Sequence, residues 1–146
     1  MPDFPTDEET ALWIALNRSQ QKLYRTVDAA LKAEGLPPLR WYDVLWSLER
    51  AGSEGGRAFE LERSLLFEQS NLSRLLSRII AEGLAEETVY HKDRRGKKLL
   101  ITAEGRRVRK RMWTIYGPLI HTFMNGVAER DTKRLAIALG ALADID

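Results

Sequence analysis

Cysteine is absent from this chain of 146 residues, which excludes a disulfide framework, a thiolate metal site and a thiol redox switch. Histidine is scarce, with only His91 and His121, far apart in the sequence. His91 and Asp93 could supply two metal ligands, but two ligands on a polar loop fall short of a site, so no metal is expected. Long apolar runs are also missing: none approaches the roughly 20 residues of a membrane-spanning helix. Met1-Pro2-Asp3-Phe4-Pro5 lacks the basic start and apolar stretch of a secretory signal, so the expectation is a cytoplasmic protein with no membrane partner. Catalytic signatures are missing as well. There is no Gly-x-Ser-x-Gly elbow and no His-Glu-x-x-His pair, and Gly52-Ser53-Glu54-Gly55-Gly56 lacks the Lys-Ser/Thr ending of a phosphate loop. Asp7-Glu8-Glu9 reads as helix capping, not as paired catalytic carboxylates. The sequence offers no support for an enzyme, and no cofactor is expected.

What is present is a localised charge. The whole chain carries only +2, yet His91 to Arg111 holds ten Lys or Arg against Asp93 and Glu104, a net +8 that leaves −6 elsewhere. A short basic stretch on an acidic chain fits a phosphate-facing surface. It fits a solvated helix face with a soluble loop equally well, and charge alone does not decide. With 44% hydrophobic and 30% charged residues, the chain suits one compact globular domain.

Thr6-Asp7-Glu8-Glu9 has the form of a capping box, and Leu12, Ala15, Leu16, Leu23, Val27, Ala30 and Leu31 then make a helical stripe ending at Gly35. A helix of about 28 residues is more than twice the usual length and needs an extended neighbour, for which a partner subunit is a good candidate. After Leu36-Pro37-Pro38, a second helix spans Arg40 to about Ala51, with Trp41, Val44, Leu45 and Leu48 expected inside. Gly52 to Gly56 reads as a flexible turn. Two short helices follow, about Glu60 to Leu66 and Ser70 to Glu82, separated by Phe67-Glu68-Gln69. Leu84 to Tyr90 and Lys97 to Thr102 read as strands of a hairpin joined by His91 to Gly96. A helix restarts near Ala103, where Pro118 should kink it, and a last one covers about Asp131 to Ala143. The order predicts a mainly α fold with a small β-hairpin wing: a winged helix-turn-helix flanked by N- and C-terminal dimerisation helices.

The second helix of the pair carries the chemistry. Leu72, Leu75, Leu76, Ile79 and Ile80 follow i, i+3, i+4, i+7, i+8 and form one buried face. Ser70, Ser73, Arg74, Ser77 and Arg78 lie opposite, with Asn71 beside them and Gln69 just ahead. Small residues allow close approach to a major-groove floor; arginine can fork onto guanine, and asparagine can pair with adenine. An ordinary amphipathic surface helix is the plain alternative, but such helices mix both charge signs and this face has no acid before Glu82.

From Leu39 to about Arg111 the chain resembles a MarR-type transcriptional regulator. The resemblance lies in Arg40-Trp41-Tyr42-Asp43-Val44-Leu45, Gln69-Ser70-Asn71-Leu72-Ser73-Arg74-Leu75 and Glu82-Gly83-Leu84. It is completed by the wing Asp93-Arg94-Arg95-Gly96 and by Leu100-Ile101-Thr102-Ala103-Glu104-Gly105. It implies one MarR-like domain over 1–146, with dimerisation helices in 1–35 and 112–146 and a DNA-binding lobe in 39–111. It further implies a homodimer straddling a pseudo-palindromic double-stranded operator, and a repressor released by a small aromatic or phenolic effector bound between dimer and DNA lobes. By motif position Arg95 enters the minor groove, braced by Asp93. Arg94, Lys97 and Lys98 are expected to meet phosphates. The peroxide-sensing members use a cysteine near the start of the first helix, which this chain lacks. Trp13, Trp41, Tyr42 and Trp46 are candidate walls of an effector pocket, with core or dimer packing as the alternative for each. A winged helix acting through protein contacts, or binding DNA without any effector, is the alternative function.

Overall fold

The computed structural model describes residues 2–89 and 97–144. Its elements run α1 (Asp7–Ala33), α2 (Leu39–Ala51), a short 3-10 turn (Gly52–Glu54), α3 (Ala58–Ser64), α4 (Leu72–Ala81), β1 (Ala85–Val89), β2 (Lys97–Ile101), α5 (Ala103–Met124) and α6 (Glu129–Ala143). The mainly α architecture with a two-stranded hairpin is the one the sequence predicts.

The capping box forms as the spacing requires. The Glu9 amide donates to Thr6 Oγ1 at 3.1 Å, and the Thr6 amide donates to Glu9 Oε2 at 2.7 Å. At the other end Gly35 takes a positive φ of 67°, letting its amide and that of Leu36 close onto the last turn of α1. α5 runs through Pro118 and remains helical to Met124.

The chain divides into two compact units: Met1–Thr26 with Tyr116–Asp146, and Val27–Ile115. The second begins earlier than the predicted lobe because Val27 and Leu31, at the end of α1, are fully buried. Its core is built from Leu39, Val44, Leu45 and Leu48 of α2, Leu61 of α3, Leu75, Leu76 and Ile79 of α4, and Leu99 and Ile101 of β2. Trp41, expected inside, is only half-buried; Tyr42 takes the inward position instead. In the first unit α6 has no buried residue, and Leu12, Trp13, Ile14, Leu135, Ile137 and Leu142 are exposed.

The hairpin is antiparallel, with Ala85 opposite Ile101 and Val89 opposite Lys97. Gly52 to Gly56 is more ordered than its composition suggests. Gly56 and Leu99 exchange backbone hydrogen bonds of 2.9 and 2.8 Å, adding a bridge beside β2. Gly55 sits at φ 68°, and a Cβ there would lie 2.8 Å from the Leu99 carbonyl oxygen, so glycine serves both turn and close approach.

Candidate nucleic-acid interface

The helix-turn-helix is set by one carboxylate from a third helix. Asp43 of α2 is buried, and its two oxygens accept the Leu66 amide at 2.9 Å and the Phe67 amide at 2.8 Å. Those amides follow α3, so Asp43 fixes the chain between the two short helices and thereby the direction in which α4 starts. The sequence reading gave Asp43 no role, since its partners lie more than twenty positions away.

α4 begins at Leu72, two residues later than expected, so Ser70 belongs to the preceding turn and Asn71 is the N-cap. Leu75, Leu76 and Ile79 are buried, whereas Ser70, Asn71, Ser73, Arg74, Ser77 and Arg78 are all exposed on the other side. The Asn71 side chain makes no capping hydrogen bond, which leaves its amide for an outside partner. Ser77 is less available, because its hydroxyl donates to the Ser73 carbonyl at 3.0 Å. Gln69 is half-buried, and its amide nitrogen has no hydrogen-bond partner.

The wing is anchored where two of the sequence motifs meet. Thr102 donates from its amide to Leu84 O at 3.1 Å and from its hydroxyl to Gly83 O at 2.6 Å. The same hydroxyl accepts the Gly105 amide at 3.0 Å and so caps α5. Arg94, Arg95 and Asp93, the expected wing contacts, lie outside the described residues, as does His91. Lys97 is described and exposed, with Glu87 Oε2 at 3.4 Å from its amine.

The basic stretch is not one uniform surface. Arg109 is buried rather than phosphate-facing: its guanidinium bonds Glu49 Oε2 at 2.6 Å and lies 4.9 Å over the Trp46 ring. Arg107 is exposed but paired with Glu104, whose hydrogen bond and charge hold the guanidinium still more firmly protonated. Lys110 and Arg111 are exposed. Of the four aromatic candidates, Tyr42 stacks on Trp113 at 6.0 Å, and burial pushes its hydroxyl above the usual tyrosine value against the opposing pull of Arg109. Trp46 is 40% exposed beneath Arg109, Trp41 is half-buried, and Trp13 is exposed in the other unit. Sequence reasoning missed this cluster because Glu49 and Arg109 are 60 positions apart.

Among the described residues no helix is long and apolar enough to cross a membrane, and no three His, Asp or Glu side chains gather as a metal site.

No protein-family model matches the chain. A stretch of 98 residues, 66% of this chain, is 31% identical to the transcriptional activatory protein BadR of Rhodopseudomonas palustris and amounts to 55% of that protein. The chain thus accounts for little more than half the length of this curated relative. Solved structures resemble it over nearly its whole length. A MarR family transcriptional regulator from Streptomyces coelicolor in complex with DNA superposes with a TM-score of 0.87 at 21% identity, covering 99% of this chain and 91% of that one. AbsC, another MarR family regulator from Streptomyces coelicolor, gives 0.83 at 23% identity, covering 98% and 97%. A mutant MarR from E. coli complexed with operator DNA gives 0.80 at 20% identity, covering 96% and 99%. The fold is that of the MarR-type winged helix-turn-helix regulators.

Proposed function

We propose that the chain is a MarR-family transcriptional regulator that binds double-stranded DNA as a homodimer at a pseudo-palindromic operator. The observation that carries this reading is α4. Its apolar side is sunk in the core while six small, polar or cationic residues around its start face outward without an acid among them. Such a face suits base edges and phosphates, not a protein groove, which would call for exposed apolar side chains. Arg74 and Asn71 read bases, Arg78 and Lys97 add phosphate contacts, and Arg95 enters the minor groove with Asp93 bracing it. Residues 39–111 form the DNA-binding lobe and the terminal segments hold the dimer.

Selection from randomised duplexes followed by gel shift tests the reading. The protein should enrich a two-fold symmetric sequence, and Arg74→Ala or Asn71→Ala should cost about 1–3 kcal/mol for each lost bidentate contact and relax preference at one position per half-site. Unchanged preference in both variants would remove α4 from base reading.

The regulatory arm is a repressor released by a small aromatic or phenolic effector, supported by the accessible indoles of Trp13 and Trp46. Titrating tryptophan fluorescence and DNA release against such compounds tests it. Activation is the second reading of the sign, favoured by the name of the curated relative.

A further inference from the structure

We infer that Phe59 of α3, backed by Ala58, reads the 5-methyl group of a thymine beside the base contacted from α4. The inference rests on the DNA-binding reading and adds a specificity contact from the first helix of the pair, which nothing in the sequence pattern singled out.

Phe59 is 56% exposed, a large benzyl ring left in water. It lies on one wall of a surface cleft of about 580 Å³, with Ala58 and Glu62. Asn71, Ser73 and Arg74 line the same cleft from α4 and its cap. The aromatic ring and the proposed base-reading side chains therefore open onto one space. The Arg57 guanidinium, 6.0 Å from the ring centroid, covers part of Phe59 and holds it in place.

The charge of the cleft selects its occupant. Glu62 and Arg74 line the space with one carboxylate and one guanidinium, and the Arg57 guanidinium stands near it at the Phe59 ring. The carboxylate repels a phosphate, whereas a neutral base edge enters without that cost. Among the unmodified bases, thymine presents an apolar group in the major groove, its 5-methyl, for which alanine and phenylalanine are suitable partners. Thymine O4, next to that methyl, is a hydrogen-bond acceptor. Gln69 borders the same cleft, but its amide nitrogen is closed off from the surface and presents no donor to that acceptor. The exposed apolar wall of Phe59 and Ala58 therefore matches the methyl-bearing edge of thymine better than any other base edge.

The test uses the full-length protein and the duplex it selects from a randomised pool. Each thymine is replaced in turn by deoxyuridine, which deletes the methyl and leaves base pairing intact. One position per half-site should lose about fourfold in affinity, the equivalent of one buried methyl group. Phe59→Ser should bind the thymine and uracil duplexes equally, and Phe59→Leu should keep part of the difference. Because the ring is exposed, both variants should melt at the temperature of the parent. Insensitivity to uracil at every position overturns the inference while leaving operator binding intact. A methyl effect that persists undiminished in Phe59→Ser overturns it too, by assigning the methyl to another side chain. Absence of any selected sequence overturns the DNA-binding reading itself, and this inference with it.

Discussion

Asp43 holds two backbone amides with a charged acceptor inside the lobe, and hydrogen bonds of that kind contribute about 1.5–3 kcal/mol each. Asp43→Ala should therefore destabilise the protein by about 3 kcal/mol, read as a shift in the urea midpoint. Asp43→Asn should lie between, since its carboxamide oxygen can accept only one of the two amides. If Asp43→Ala unfolds with the parent, the carboxylate does not hold the turn. The Arg109–Glu49 pair calls for a different pattern. Both side chains are largely buried, at 10% and 16% exposure, and breaking such a pair from one side typically costs about 3–5 kcal/mol. Exchanging both for apolar residues of similar size is close to neutral in comparable cases. Glu49→Leu alone should thus be much less stable than Glu49→Leu with Arg109→Met. A double variant less stable than Glu49→Leu alone would show that the contact of Arg109 with Trp46, not the ion pair, carries the energy.

Among the elements, the approach of α5 to the chain just before β1 leaves no room at Gly105. A Cβ there would stand 2.0 Å from the Leu84 carbonyl oxygen. Alanine would gain up to about 1 kcal/mol in helix propensity, but overpacking of this kind costs about 1–3 kcal/mol and more against backbone. Gly105→Ala should lower stability on balance by about 2 kcal/mol, and a neutral or raised melting temperature would show that the helix shifts freely. Features that depend on neighbours in sequence were legible beforehand. The Thr6–Glu9 capping box, the apolar stripe of α4 and the Gly35 stop each need only a few consecutive residues. Features that depend on distant partners were not. Asp43 looks like an ordinary helix-surface acid until Leu66 and Phe67 arrive, and Arg109 looks like one more cation in a basic run until Glu49 does. Phe59 escaped for a related reason: α3 has seven residues, too few for a periodicity that would mark its exposed side. The MarR-type motifs bridged part of this gap, since Gly83-Leu84 and Thr102 to Gly105 meet at the base of the wing.

For the molecule as a whole, α6 sets the terms. Its 15 residues include no buried side chain, and isolated helices of that length are marginal in water. Its apolar residues Leu135, Ile137 and Leu142, with Leu12, Trp13 and Ile14 of α1, are the surface proposed to close a dimer. Removing residues 1–34 should leave a chain that aggregates or fails to fold, and the intact protein should sediment as a dimer at micromolar concentration. A stable monomer there would overturn the proposed assembly. If folding and pairing are one step, melting temperature must climb with protein concentration, because the folded state gains from mass action while the unfolded chain does not. For a protein that binds an operator as proposed above, the cellular consequence is a threshold. At low copy number, dilution would remove protein from the operator twice over, by emptying the site and by returning unpaired chains to a form open to proteolysis. Occupancy would then rise more steeply than in proportion to synthesis, so that small changes in expression act on the controlled genes as a switch.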